Sequence, residues 1–435
     1  MPGTANTRAD SVRQLQRGLY RAAKAQPRRK FYSLYDKVYR PAVLWQAWEE
    51  VKANRGAPGI DAQSIDAVIA SGEEAFVGEL GEQLRDKTYR PQPVRRVYIP
   101  KKTRGGRRPL GIPTLADRVV ETAVRLVLEP VFEADFQDCS YGYRPQRGAR
   151  MCSVAIRESL YQHVHSVIEV DLRSFFDSVP HDKLMILLRE RITDGSILRL
   201  IWAWLRVGYR DVDGAHRRTV QGVPQGSPLS PLLSNVYLNV LDRVWMRRRY
   251  PEILGAVLYR YADDMVVLCR GNPQAAYAAL EAVVAKLGLT LQPDKTRIVR
   301  VEEGFDFLGF HFVRRRSPTT GRRSFYTFPA KESQKHVREI LRSFTHRRAQ
   351  VEPAELLKRI NDVLRGWVNY YQHTNASDAF RRLQRFINLR VRRYLAQRHR
   401  ERGSGWRRYP ARTLYAMGLM HIGSGRIRYA AYATR

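Results

Sequence analysis

Apolar residues recur along this chain in two ways, at a helical period and in short unbroken runs, and the alternation between them divides it. Val120, Val124, Val127, Leu128 and Val131 share one face at helical spacing and predict an amphipathic helix over 117–132. The pattern over 32–68 is mostly helical, broken where Asn54-Arg55-Gly56-Ala57-Pro58-Gly59 forces a loop. Residues 94–100 read as an edge strand that returns through Leu110-Gly111-Ile112-Pro113, with a basic turn containing Gly105-Gly106 between them. Ser166 to Val170 is a buried strand running into Asp171. Apolar runs at 256–259 and 265–268 flank Tyr261-Ala262-Asp263-Asp264, which reads as a β-hairpin with two adjacent carboxylates at its tip. Phe307-Leu308-Gly309-Phe310 belongs to a further strand pair.

Past Pro329 the helical period takes over. Val337, Ile340, Leu341 and Phe344 mark one helix, Leu356, Ile360, Val363, Leu364, Trp367 and Tyr371 a second, and Phe380, Leu383, Ile387, Val391 and Tyr394 a third. An α+β portion is therefore followed by an all-α module. Trp367, Tyr370 and Tyr371 fall on the apolar stripe and read as core rather than as stacking platforms. Residues 1–31 form a basic extension expected to order only with a partner, and 403–435 a Gly-, Arg- and Tyr-rich tail.

Charge narrows the choice of partner. With 76 Lys and Arg against 42 Asp and Glu the chain carries +34, an excess that repels itself unless a polyanion supplies the counter-charge. Nucleic acid is the expected polyanion, and the preference for Arg over Lys suits bidentate contact with phosphate. The all-α module shares the bias, with 18 Lys and Arg against 7 Asp and Glu over 331–402. Three cysteines without CxxC or zinc-finger spacing speak against a disulfide framework or structural zinc. Without a signal-peptide core or a run long enough to span a bilayer, a soluble cytoplasmic protein is expected, with no membrane partner.

The acidic residues supply candidate chemistry. An Asp-Asp pair alone is equally a pair of solvated turn residues. Asp171, however, ends an otherwise buried strand, where a carboxylate is costly unless it binds something. Beside the hairpin it would complete a three-carboxylate site suited to two Mg²⁺ ions, with Mn²⁺ as the alternative, and hence to nucleotidyl transfer. Between these acids lies Gln221-Gly222-Val223-Pro224-Gln225-Gly226-Ser227-Pro228, a Gly-rich loop in which Ser227 and Pro228 read as N-cap and first-turn proline of the next helix.

The order of Asp171-bearing strand, Pro224-Gln225-Gly226 loop and Tyr261-Ala262-Asp263-Asp264 hairpin resembles a reverse transcriptase palm. The flanking blocks resemble bacterial group II intron-encoded proteins: Arg108-Pro109-Leu110-Gly111-Ile112-Pro113, Ser140-Tyr141-Gly142-Tyr143-Arg144-Pro145, the stretch 222–235, Lys295-Thr296, Phe307-Leu308-Gly309-Phe310 and Arg365-Gly366-Trp367-Val368-Asn369-Tyr370-Tyr371. They follow in family order from about residue 32 to about residue 400.

The resemblance implies a right-hand polymerase fold, with fingers and palm over 32–328 and a helical thumb and maturase domain over 329–402. It makes Asp171, Asp263 and Asp264 catalytic and metal-binding, with the backbone carbonyl of Leu172 as a further ligand. It implies that Lys101 and Arg108 hold the triphosphate of the incoming dNTP and that Gln225 lies against the new base pair or the sugar. By the same resemblance Phe176 excludes a ribose 2′-hydroxyl, and Lys295 either assists the leaving group or caps a turn as a surface lysine. Arg381, Arg382 and Arg385 are the expected RNA contacts of the helical module.

Implied partners are group II intron RNA, an RNA template with its DNA primer, target DNA and dNTPs, with the protein nucleoid-associated when on its target. Many relatives of this kind end in a His-Asn-His endonuclease; the tail here lacks cysteine and is expected to be a DNA-binding segment of the short, endonuclease-lacking form. Two other readings fit the same motifs. One is a related polymerase recruited to host defence or CRISPR adaptation; the other is a splicing cofactor without catalysis, against which the retained carboxylates count.

Overall fold

The computed structural model describes residues 5–100, 107–317, 320–346, 351–399 and 405–423. In chain order the elements are α1 (Ala5–Ala25), α2 (Tyr35–Val38), α3 (Pro41–Ala53), α4 (Ile65–Ser71), α5 (Glu73–Arg85), β1 (Val94–Pro100), β2 (Arg107–Ile112), α6 (Leu115–Glu133), α7 (Ala149–Leu160) and β3 (Ser166–Val170). Next come α8 (Phe175–Ser178), α9 (His181–Arg189), α10 (Gly195–Arg206), β4 (Tyr209–Arg210), β5 (His216–Arg217), α11 (Ser230–Arg247), α12 (Tyr250–Ile253), β6 (Ala256–Tyr261), β7 (Asp264–Cys269) and α13 (Pro273–Lys286). The chain finishes with β8 (Arg297–Arg300), β9 (Phe305–Phe307), β10 (Phe310–Arg316), β11 (Arg323–Pro329), α14 (Lys331–Phe344), α15 (Pro353–Tyr371), α16 (Ser377–Arg398) and α17 (Ala411–Ala416).

The chain folds as two compact units. The first comprises 1–148, 170–267 and 271–297, and its central helix is α6, buried along almost its whole length against α1 and α3. That packing corrects the expectation for the N-terminal segment. Val12, Leu19 and Ala23 of α1 are buried, a stripe narrow enough to be hidden among the arginines of the sequence. The strand at 94–100 is corrected as well. In the sheet ordered β2-β1-β4-β5 it is interior, because Val94 and Arg95 pair with Tyr209 and Arg210 of β4, a strand too short to be read from periodicity. Its antiparallel pairing with β2 sets Val97 opposite Leu110 and Ile99 opposite Arg108.

A second sheet, ordered β6-β7-β3-β8, carries the acidic residues at its strand ends. Ala262, at φ 57°, makes the tight turn between β6 and β7. Beneath that turn lies Arg260, fully buried. Its guanidinium bonds Asp242 of α11 (Nε to Oδ1, 2.9 Å), Asn235 Oδ1 (2.9 Å) and the carbonyl of Ala262 (3.0 Å). Its backbone exchanges bonds with Cys139 and Tyr141, which lays Ser140-Tyr141-Gly142 along β6. Gly142 is required there, since a Cβ would collide with the backbone nitrogen of Ala262. Asn235 completes the junction by donating to Gly142 O at 2.8 Å. Three sequence blocks far apart in the chain thus meet at one buried arginine.

The second unit comprises 149–169, 268–270 and 298–435. Phe307-Leu308-Gly309-Phe310 is the turn between β9 and β10, with Leu308 and Gly309 both at positive φ. Tyr370 and Tyr371 of α15 donate their hydroxyls to the carbonyls of Leu308 (2.8 Å) and Gly309 (3.0 Å). Phe310 stacks on Tyr370 at 4.9 Å, and Trp367 packs on Tyr371 at the same distance; Tyr371 is buried as the stripe predicts, whereas Trp367 and Tyr370 are half-buried at its edge. Helices α14, α15 and α16 match the expected three. Among the described residues no helix is long and apolar enough to cross a membrane.

A second buried ionisable group lies against the loop before α11. Glu121 of α6 is fully enclosed; desolvation, with Asp117 nearby, pushes its carboxyl up to about 8 against the pull of Ser227 and Arg118. Its Oε2 has no hydrogen-bond partner. The helix itself starts later than expected, at Ser230, with Leu229 as N-cap and Pro231 in the first turn. Ser227 instead accepts a bond from Leu229 N (3.2 Å), and Ser230 donates to Pro224 O (2.8 Å), so the serines fold the loop before the helix begins.

Both buried groups yield tests. Arg260→Leu strands Asp242 without a counter-charge and should cost about 3–5 kcal/mol in chemical denaturation, whereas pairing it with Asp242→Leu should recover most of that loss. Glu121 carries a raised pKa in the fold, so stability falls as pH rises from 4.5 to about 8, where the native state still holds a proton the unfolded chain has lost. Glu121→Gln should flatten that slope, with Tm about 2–4 °C above the parent at pH 8.5 and no gain near pH 4.5, by scanning calorimetry.

Candidate active site

Asp171 stands just past the end of β3, and backbone contacts on both sides of it fix the strand end. Its N–H donates to Thr296 Oγ1 (3.3 Å), and its carbonyl accepts from Gln292 N (2.8 Å). The following Leu172 is buried and bridges to Leu291. Asp263 lies in the turn after β6, and Asp264 is the first residue of β7, the strand next to β3 in the sheet. All three acids belong to the first unit.

Their electrostatics show that they share one space. Burial raises the pKa of Asp263, Asp171 adds to the rise, and Arg108 and Arg260 oppose it. Asp264 is exposed at the surface, although its carboxyl sits among protein groups. Desolvation, then the charges of Asp263 and Asp171, push its carboxyl up to about 6, and Lys295 and Arg108 oppose the rise. Tyr143, half-exposed beside them, has its phenol raised by burial and next by Asp263, which places the Ser140 to Pro145 block at the rim of the site. Lys295 is not turned to solvent alone. Its ammonium pairs with Asp171 Oδ2 at 2.8 Å, so the chain itself supplies a cation to the third carboxylate.

The nucleotide-contact candidates gather on the same side. Arg108, exposed on β2, donates from Nε to Gln225 Oε1 at 2.6 Å, and its guanidinium lies 6.0 Å from the Phe176 ring. Phe176 is half-buried, whereas its neighbour Phe175, edge-on to it at 5.3 Å, is the one sunk in the core. The Gln225 carbonyl accepts from Gly111 N at 2.7 Å, which ties the loop to β2. On its other flank, Gly222 N and Val223 N donate to Val179 O and Phe176 O (2.8 and 2.7 Å). Lys101 lies outside the described residues.

Asp177 is a residue that sequence reasoning passed over. Its Oδ1 stands 3.5 Å from Gln225 Nε2, on the side opposite Arg108, so the two flanking charges orient the carboxamide with oxygen toward Arg108 and nitrogen toward Asp177. Its position directly after Phe176 was the available signal. In the second unit Arg381, Arg382 and Arg385 are all exposed on α16, and Arg381 pairs with Asp378.

The donor set fits a hard divalent cation. The side-chain donors are carboxylate oxygens, the pKa values of Asp263 and Asp264 are raised with Asp171 contributing, and Asp171 itself holds an ammonium. Among the described residues no three His, Cys, Asp or Glu side chains stand together as a set that could hold an ion, and Asp171 is turned to Lys295.

Comparison with known proteins bears on the same residues. Residues 99–312 match the reverse transcriptase (RNA-dependent DNA polymerase) family, and residues 334–411 match the group II intron maturase-specific domain. Protein YkfC of Escherichia coli strain K12 is 34% identical over 361 residues, covering 74% of this chain and 93% of YkfC. The group II intron-encoded protein LtrA of Lactococcus lactis subsp. cremoris is 30% identical over 67% of this chain, which spans only 58% of LtrA. Nuclear intron maturase 3, mitochondrial, of Arabidopsis thaliana is 23% identical over 65% of the chain and 41% of that protein. With the acidic cluster in the part that matches the polymerase family and the tyrosine-locked helices in the part that matches the maturase domain, the chain belongs to the group II intron reverse transcriptase and maturase family, whose enzymatic class is RNA-directed DNA polymerase.

Proposed function

We propose that this chain copies intron RNA into DNA by nucleotidyl transfer at Asp171, Asp263 and Asp264, and that it acts as a maturase which binds group II intron RNA and promotes splicing and mobility. The observation that carries the reading is that Asp264, raised by the charges of Asp263 and Asp171, lies within reach of Arg108, which itself holds Gln225. Asp171, Asp263 and Asp264, with the Leu172 carbonyl, would hold two Mg²⁺ ions; bound there, these lower the pKa of the attacking 3′-hydroxyl and neutralise charge on the leaving pyrophosphate.

The remaining roles fall to the chain. Arg108 and Lys101 hold the triphosphate, and Gln225, oriented between Arg108 and Asp177, sets the sugar and base of the incoming dNTP. Phe176 presents its ring where a ribose 2′-hydroxyl would stand. Lys295, now paired with Asp171, would donate to the departing phosphates. The exposed Arg381, Arg382 and Arg385 face of α16 takes phosphates of the intron RNA, and the basic tail adds contact with target DNA.

Two substitutions test the assignment. Asp263→Asn removes a metal ligand but only one charge from a surface of +34, so primer extension should fall by at least about 100-fold while filter binding of RNA stays within about 2-fold. Retained polymerisation would remove Asp263 from the site. Phe176→Ala should lower the preference for dNTP over rNTP by about 10- to 100-fold in single-nucleotide kinetics on an RNA template, with metal dependence unchanged. Equal loss of both substrates would return Phe176 to a packing role.

A further inference from the structure

Among the described residues of the second unit, Trp406 is a large aromatic side chain turned to water rather than hidden. Trp406 is 63% exposed, while Tyr409 and Leu414 beside it in sequence are buried. The turn that carries it is built to hold it there. Gly405 sits at φ 71°, and a Cβ at that position would press on Ala396, Tyr409 and Arg392, so the 405–409 turn can lie directly on α16 only with glycine. Tyr409 N closes the turn on Gly405 O at 2.9 Å.

Arg392 of α16 locks the arrangement from below. It is buried, donates from Nε to Tyr409 O at 2.8 Å, and so fixes the plane of its guanidinium, which lies 3.6 Å from the centre of the Trp406 ring. One face of the indole is therefore backed by a fixed cation and the ring extends into water. Arg407, Arg408 and Arg412 are exposed around it, and the stretch 405–423 contains no Asp or Glu. A protein groove or a lipid surface would have to accept that concentration of positive charge around one ring. An RNA strand supplies both complements at once, a flat base for the ring and phosphates for the arginines.

We propose that Trp406 is a stacking platform for an unpaired nucleobase of bound RNA, with Arg392 fixing the ring and Arg407 and Arg408 on the adjoining phosphates. The inference rests on the reading that this chain binds RNA, and goes beyond it in naming a base-reading site. Stacking on an aromatic face tolerates any base, so the site selects for unpaired structure rather than for sequence.

The test uses the full chain with two RNAs of equal length, a hairpin with an adenine-rich loop and a blunt duplex. Trp406→Leu should weaken hairpin binding about 10-fold and leave duplex binding unchanged. The salt slope for the hairpin should not move, because no phosphate contact is lost. Trp406→Phe, which keeps an aromatic face, should stay within about 3-fold of the parent. A loop carrying 5-iodouridine should photocrosslink to Trp406, located by mass spectrometry. The proposal is overturned if Trp406→Leu binds both RNAs like the parent, if it loses both equally, or if crosslinks from a bound hairpin map only elsewhere. Failure of the unsubstituted chain to bind either RNA is a different result, and overturns the proposed function itself.

Discussion

Like-charge repulsion at one end of a sheet is the constraint around which this structure is arranged. Asp263 and Asp264 are adjacent in sequence, Asp171 is close enough to raise both, and desolvation raises the carboxyls of Asp263 and Asp264 further. Such a cluster persists only where positive charge is fixed nearby. Arg260 supplies it from below while holding the Ala262 carbonyl, Lys295 from the side, and Arg108 from the neighbouring sheet. Arg260 in turn needs Asp242 and Asn235, which is why α11 must pass under the hairpin. The blocks at 140–145, 230–242 and 256–264 therefore serve one electrostatic purpose although they are far apart in the chain.

Much of this was legible in the sequence because it rests on local patterns. The hairpin is announced by two apolar runs around Tyr261-Ala262-Asp263-Asp264, and the helices after Pro329 by stripes that the fold buries as expected. What escaped depends on contacts between distant segments. The β1 strand looks like an edge until Tyr209 and Arg210 pair with it. Helix α1 reads as a disordered basic arm because three buried residues are a weak signal among arginines. Ser227-Pro228 carries the local signature of a helix start, and loses it because the same serine turns back on Leu229.

At the candidate site the sequence brings three acids forward but not what surrounds them. The pairing of Lys295 with Asp171 and the position of Asp177 behind Gln225 follow from how the loops at 290–296 and 222–226 are seated, and neither leaves a mark in residue spacing. The proton on Glu121 is similarly invisible: a glutamate on a helix gives no sign that every face of that helix is enclosed.

The Lys295–Asp171 contact also bears on how the protein comes into being. Carboxylates gathered at one end of a sheet repel one another, and a cation from solution offsets that only where its concentration suffices. Here an ammonium carried by the chain takes part of that burden, since it arrives covalently attached and needs no concentration in solution. The folding chain thus meets the acidic end of this sheet with a counter-charge of its own, whatever ions surround it.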